Sequence, residues 1–283
     1  RILWRTLLES PAVALDGWRG SSLLITADGT MQQINVETGA LGESWQVDAT
    51  FTGAPIVDGD RLLFPTLEGG LQAVDEDRRT LLQTLPNVPD FRRARLLPDG
   101  SLAILTPDHR LLYLSAAGDV IDEAQLQAAT SLGVSPEGRL LVYSQGGFWQ
   151  VDSSGEWSLY IEDAAPGGAS SALLVTQDRV YAFNQQRLYA YDFNKDLVWD
   201  ATMPPLTGLV EMQQYDDVLL LTSNHGQIVL ASTEGRFCNQ TRIYGNDDAQ
   251  QWHRLGSDGI MRFAIADQVL GLNWELFTRP CRS

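Results

Sequence analysis

Val180-Tyr-Ala-Phe-Asn-Gln-Gln-Arg-Leu-Tyr-Ala-Tyr-Asp192 sets two short apolar runs on either side of a polar bend. Branched and aromatic side chains suit a pleated surface and polar residues suit the bend, so the stretch predicts a β-hairpin. Outward from it, the same hairpin returns along the whole chain. Its second strand begins at Met31, Leu71, Leu111, Phe148, Leu188, Ile228 and Val269, in steps of 40, 40, 37, 40, 40 and 41 residues. Four positions later each copy reaches a small polar residue: Asn35, Asp75, Ser115, Asp152, Asp192, Ser232 and Asn273. The preceding strand recurs too, starting at Leu23, Leu62, Leu102, Leu140, Val180, Val218 and Ile260, often behind a turn signal such as Asp99-Gly100 or Asp258-Gly259.

A period near 40 with several strands per unit marks a propeller blade. Helical repeats would space apolar residues three and four apart over long windows. Here the runs are short and Gly or Asp punctuates them, and a two-sheet sandwich would not need equal spacing. The expected fold is all-β, a seven-bladed β-propeller of four-stranded antiparallel blades, forming a single domain over residues 1–283. The segment Arg1–Leu8 reads as a strand and matches the outermost strand of the fifth repeat, Asp196–Thr202. The last repeat has little room for a fourth strand. The N-terminal strand is therefore expected to close the last blade and leave no long open edge. Trp274-Glu-Leu-Phe277 competes for the same place.

Several copies carry a finer signature. Asn35-Val-Glu-Thr38-Gly39 is followed by Trp45, Leu71-Gln-Ala-Val-Asp75 ends a strand, and Asp192 is followed by Trp199. The chain resembles the quinoprotein-like propellers with the PQQ-like repeat, in which a strand ends in Ala-x-Asp, a Thr-Gly turn follows and a Trp sits on the outer strand. The second repeat has Asp77-Arg78 at the turn and the third has Ala117-Gly118, and neither carries the Trp. Quinoprotein dehydrogenases of this family are longer, usually have eight blades, and hold their quinone against adjacent cysteines and a calcium site. This chain has no adjacent cysteines, so neither a cofactor nor a catalytic residue is expected. The resemblance implies a non-enzymatic propeller of the type that assists outer-membrane protein assembly. Such a protein works in the periplasm or outside the cell, often on a lipid anchor.

The formal net charge is -16. An acidic body repels phosphate backbones and anionic lipid, which argues against nucleic acid and membrane surfaces as partners. No apolar run reaches membrane-spanning length. The first residue is Arg, so any signal peptide or lipid-carrying cysteine would lie upstream of it. Cys238 and Cys281 are either two buried thiols or a disulfide. Neighbouring blades favour the disulfide, which implies an oxidising compartment. Asn239-Gln240-Thr241 matches a glycosylation sequon.

Reactive constellations are sparse. His109 and His225 fall at the same turn of two distant repeats, and with His253 they lack the convergence a metal needs, so no metal site is expected. Carboxylates at turns, among them Asp58, Asp60, Asp216, Asp217, Asp247 and Asp248, are expected to bond their own backbone. Neither a calcium loop nor a Gly-x-Ser-x-Gly motif is present. The one dense basic cluster is Arg92, Arg93 and Arg95. It is either a solvated edge or a positive spot for a carboxylate or an acidic segment of a partner. Trp149, Tyr181, Tyr189, Tyr191 and Trp199 are expected to pack between blades, whereas Trp18 and Trp252 are the aromatic candidates for partner contact. Two functions follow: a non-catalytic scaffold that binds envelope or membrane-complex proteins, or a propeller enzyme or carbohydrate-binding protein with its site at the central channel.

Overall fold

The computed structural model describes residues 2–18, 21–35, 37–51, 56–58, 61–67, 70–74, 81–85, 91, 93–97, 99–115, 118–126, 129, 131–135, 138–144, 147–151, 157–162, 171–208, 210–223, 225–243, 251–255, 259–265 and 267–281. Strand β1 (Ile2–Leu7) comes first, and sets of strands follow. Blade one is β2 (Ala12–Trp18), β3 (Ser21–Thr26), β4 (Thr30–Ile34) and β5 (Leu41–Gln46). Blade two is β6 (Ile56–Asp58), β7 (Arg61–Pro65), β8 (Leu71–Val74) and β9 (Leu81–Leu85). Blade three is β10 (Arg93–Leu96), β11 (Leu102–Leu105), β12 (Arg110–Leu114) and β13 (Val120–Gln125). Blade four is β14 (Ser131–Val134), β15 (Leu140–Ser144), β16 (Gly147–Val151) and β17 (Trp157–Glu162). Blade five is β18 (Ser171–Val175), β19 (Val180–Asn184), β20 (Arg187–Tyr191) and β21 (Leu197–Thr202). Blade six is β22 (Val210–Tyr215), β23 (Val218–Ser223), β24 (Gln227–Ser232) and β25 (Phe237–Arg242). Blade seven has β26 (Gln251–Leu255), β27 (Ile260–Ile265) and β28 (Gln268–Asn273), and β1 pairs with β28 as its fourth strand. Seven four-stranded antiparallel sheets make this a seven-bladed β-propeller.

The recurring small polar residue explains how each blade turns into its outer strand. Its side-chain oxygen accepts a backbone N–H from the turn that follows. Asn35 accepts from Thr38 at 3.0 Å, Ser115 from Asp119 at 3.1 Å, Asp192 from Asp196 at 3.0 Å and Ser232 from Arg236 at 3.1 Å. These residues cap turns because a short oxygen-bearing side chain reaches its own backbone two to four residues on. Asp75 and Asp152 lie outside the described residues. In blade seven the same device starts a helix. Asn273 accepts from the Leu276 N–H at 2.9 Å and caps α1 (Trp274–Thr278). Trp274–Phe277 is therefore not a competing strand, and the outer place in blade seven falls to β1.

Most outer strands begin with a bulge. In blade three Tyr113 faces Asp122 and Leu114 faces Val120, so Ile121 is the extra residue. The same step leaves out Val198 in blade five, Cys238 in blade six and Leu3 in blade seven. A bulge twists an edge and discourages chain-to-chain pairing along it. The middle strands read as unbroken apolar runs, such as Leu102–Leu105 and Val218–Leu221, because sheets cover them on both faces.

Two compact units emerge. One comprises Arg1–Val88, Asn224–Gly226 and Ile243–Ser283, with blades one, two and seven. Within it β2 lies against β26, Phe51 stacks on Phe64 at 4.2 Å, and Leu15, Leu24, Ala264 and Val269 share a core with Trp4. The other comprises Pro89–Ser223 and Gln227–Arg242, with blades three to six. Here β10 lies against β14, β14 against β18 and β18 against β22, so the first strand of each blade is the innermost. Tyr181, Phe183, Leu219 and Val229 fill the seam between blades five and six. Each such buried side chain contributes roughly 1.5–3 kcal/mol. Among the described residues no helix is long and apolar enough to cross a membrane.

Candidate functional site

An innermost strand has a neighbour on one side only, so its other edge leaves backbone groups to be satisfied by side chains. In the unit of blades three to six this is visible twice. The Leu173 N–H of β18 donates to Ser131 Oγ of β14 at 3.0 Å. Arg93 of β10 reaches blade six, where its Nη2 donates to the Val210 carbonyl at 3.3 Å and its Nη1 meets Glu211 Oε1 at 2.8 Å. The strands also approach closely where a side chain is missing. A Cβ on Gly133 would stand 2.5 Å from Val175 Cγ2.

Arg93 and Arg95 are two residues apart on β10 and share a face of the strand. The Arg93 side chain is 11 % exposed, against 36 % for Glu211. Arg95 is half-buried, and its Nη1 donates to the Ala94 carbonyl at 2.8 Å. Loss of solvent lowers the Arg95 pKa from the usual arginine value; Glu211 opposes that fall and Arg93 adds to it. The guanidinium stays charged throughout the working range. The basic cluster thus lines the inner edge, with Arg93 held in an internal ion pair. Arg92 lies outside the described residues.

Trp18 ends β2 opposite Ser21, and Trp252 lies in β26 opposite Ala264, so both stand on innermost strands of the other unit. Their side chains lie outside the described residues. Both cysteines are disulfide-bonded and none is free. Cys238 takes the bulge position of β25, and Cys281 is buried in the 3₁₀ turn after α1. The sequon falls within β25, where Asn239 Oδ1 accepts from the Gln240 N–H at 2.8 Å.

His109 is not merely a solvated turn residue. It adopts φ 65° and its Nδ1 stands 2.9 Å from the Ala129 carbonyl, tying the turn to the next connection. Asp99 shows the expected self-bonding of a turn carboxylate. Hydrogen bonds from Ser101 hold its pKa below the ordinary carboxylate value, against a smaller opposing effect of burial. Asp60, Asp247 and Asp248, and the side chain of Asp58, lie outside the described residues, as does the side chain of His253. Among the described residues no three His, Cys, Asp or Glu side chains gather to hold a metal ion.

At the outer edges, aromatic side chains of one blade rest on the turn of the next. Trp199 of β21 lies over Gly235, where a Cβ would stand 2.6 Å from its Cε3, and its Nε1 donates to the Thr233 carbonyl at 3.1 Å. Trp4 of β1 lies over Gly39, whose carbonyl accepts from Thr6 Oγ1 at 2.6 Å. Between blades four and five Tyr160 does the same work. Its hydroxyl donates to the Phe193 carbonyl at 3.4 Å, and Lys195 Nζ stands 4.9 Å from its ring centroid. Sequence reasoning missed Tyr160 because the turn it meets, Asp192–Asp196, carries no Gly to mark the contact.

No protein-family model matches the sequence, and neither does any curated protein. Solved structures do match. The chain is similar to the crystal structure of BamB from Moraxella catarrhalis, with a TM-score of 0.60 and 14% identity over 95% of this chain and 85% of that one. The likeness is one of fold. The computationally designed Ika8 protein is similar as well, with a TM-score of 0.66 and 12% identity over 96% of this chain and 99% of that one. A natural and a designed protein thus share the architecture with little sequence in common.

Proposed function

We propose that this protein is a non-catalytic β-propeller that holds other proteins in the cell envelope or an extracellular assembly, with residues 1–283 acting as one domain. The observation that carries this reading is at the start of the outer strands. The bulges push pairs of apolar side chains into solvent: Val120 and Ile121 are 56% and 58% exposed, and Leu197 and Val198 are 51% and 43% exposed. Ile2 and Leu3 repeat the pattern on β1, and Phe237 stands at the same place on β25. Apolar pairs left exposed at equivalent positions suit protein contacts. The BamB likeness and the quinoprotein-like repeat support the same role, that of a propeller serving a membrane-complex assembly. The disulfide supports an oxidising compartment, the periplasm or the outside of the cell.

The test is to isolate the protein at native levels and cross-link it. A stoichiometric partner is expected, and it should be lost when Val120→Glu is combined with Ile121→Lys while the melting temperature holds. A monodisperse chain with no partner would sink the proposal. So would a rise of several degrees in melting temperature with calcium, quinone or oligosaccharide, which would favour a ligand-binding or enzymatic propeller.

A further inference from the structure

We propose that Arg95, with Arg93 and Glu211 beside it, forms an oxyanion site on the inner edge of blades three to six, and that its ligand is a carboxylate group. Two guanidinium groups on one face of β10 meet a single carboxylate from β22. Arg93 spends that carboxylate: one of its nitrogens is on Glu211 and another is on the Val210 carbonyl. Arg95 has five N–H donors. Among the described residues its only side-chain hydrogen bond is to the Ala94 carbonyl.

The position adds to this. Arg95 is half-buried and its remaining donors stay open to solvent, so an incoming anion can reach them and meets them in a lower local dielectric than at a free surface. Its planar fork fits a carboxylate bidentately. The protein as a whole carries a net charge of -16, so a positive spot here is not the by-product of a basic surface. Screening confines the repulsion of distant carboxylates to about 8–10 Å at physiological salt, and the site can act within its own reach. The carboxylate can arrive free or on an acidic side chain of a partner. The site therefore does not depend on the scaffold reading, and the two can fail separately.

The experiment is calorimetric titration and thermal shift at constant ionic strength. The probes are acetate, inorganic phosphate and a hexaglutamate peptide, with chloride as the reference anion. Saturable binding of acetate is expected, weakened about tenfold or more in Arg95→Gln. Glu211→Gln removes the competing internal carboxylate and should tighten binding roughly threefold to tenfold, a gain that a merely structural role would not produce. Arg110→Gln, at a partly exposed arginine already paired with Asp108 and Glu123, should bind as the parent does. Should Arg95→Gln fail to fold, Arg95→Lys keeps the charge, loses the fork and should still bind more weakly. Tighter binding of the peptide than of acetate identifies a partner's side chain as the source; equal binding identifies a free anion. An acetate response no greater than that of chloride, or one unchanged in both Arg95 and Glu211 variants, overturns the proposal.

Discussion

Trp199 on Gly235 and Arg93 on Glu211 both join one blade to another, and they do so in opposite ways. The first is an outer-edge contact between successive blades, repeated by Trp4 on Gly39 and, with different residues, by Tyr160 on the turn holding Lys195. The second is an inner-edge contact between blades three and six, and nothing in the repeat calls for it. Every blade faces the same problem at its outer edge, since its fourth strand must be pinned to the next turn. One solution can therefore be used many times. At the inner edge the first strands converge, and side chains from different blades meet in combinations no period prescribes. Fold information sits at the outer edge and individual chemistry at the inner one.

The outer edge should respond most strongly. Gly235 has φ 84°, and any side chain there strikes the Trp199 ring. Gly235→Val should cost about 3 kcal/mol or more, combining backbone strain with overpacking, as read from the urea midpoint. A cost under about 1 kcal/mol would show that the outer edge is not pinned in this way. Next comes the inner edge. Gly133→Val should cost about 1–3 kcal/mol by forcing β14 away from Val175.

Smaller still is the ion pair. Glu211 is partly solvated, so Glu211→Gln should cost about 1–2 kcal/mol, well short of a fully buried pair. A double-mutant cycle with Arg93→Gln should show coupling, whereas a cycle between Glu211→Gln and Trp199→Ala should be additive. Additivity in the first cycle would mean that Arg93 and Glu211 do not couple the two blades. The mildest effect depends on pH. Burial pushes the Tyr181 and Tyr191 hydroxyls up to about 12 from 10.0. A raised pKa in the folded state stabilises fully below pH 10, and that stability fades as pH climbs towards 12. Stability measured against pH should fall across that window, and Tyr181→Phe should flatten part of the fall.

Much of the fold was legible because the blade is a local unit. The hairpin at Val180–Asp192 appears as β19 and β20, although Asn184 and Arg187 belong to the strands and the bend narrows to Gln185 and Gln186. Asn35, Ser115, Asp192 and Ser232 could be picked out because a turn cap acts within four residues of itself. Less could be read of the site. Three arginines near one another in sequence look like a surface patch until β22, more than a hundred residues later, presents Glu211 to one of them. His109 likewise gave no sign of the Ala129 carbonyl that it meets.

The amino-acid sequence alone determined the seven units and the hairpin within each, and it pointed to β1 as a candidate to complete the last blade. Periodic spacing, turn residues and apolar runs all act over short stretches of chain. Only the tertiary structure decided that Asn273 starts a helix rather than an outer strand, that Tyr160 rests on the turn of the next blade, and that Arg95, among the described residues, bonds a single backbone carbonyl beside a carboxylate already engaged. Those outcomes depend on which side chains from distant blades are brought together, and that is a property of converging strands rather than of any one repeat.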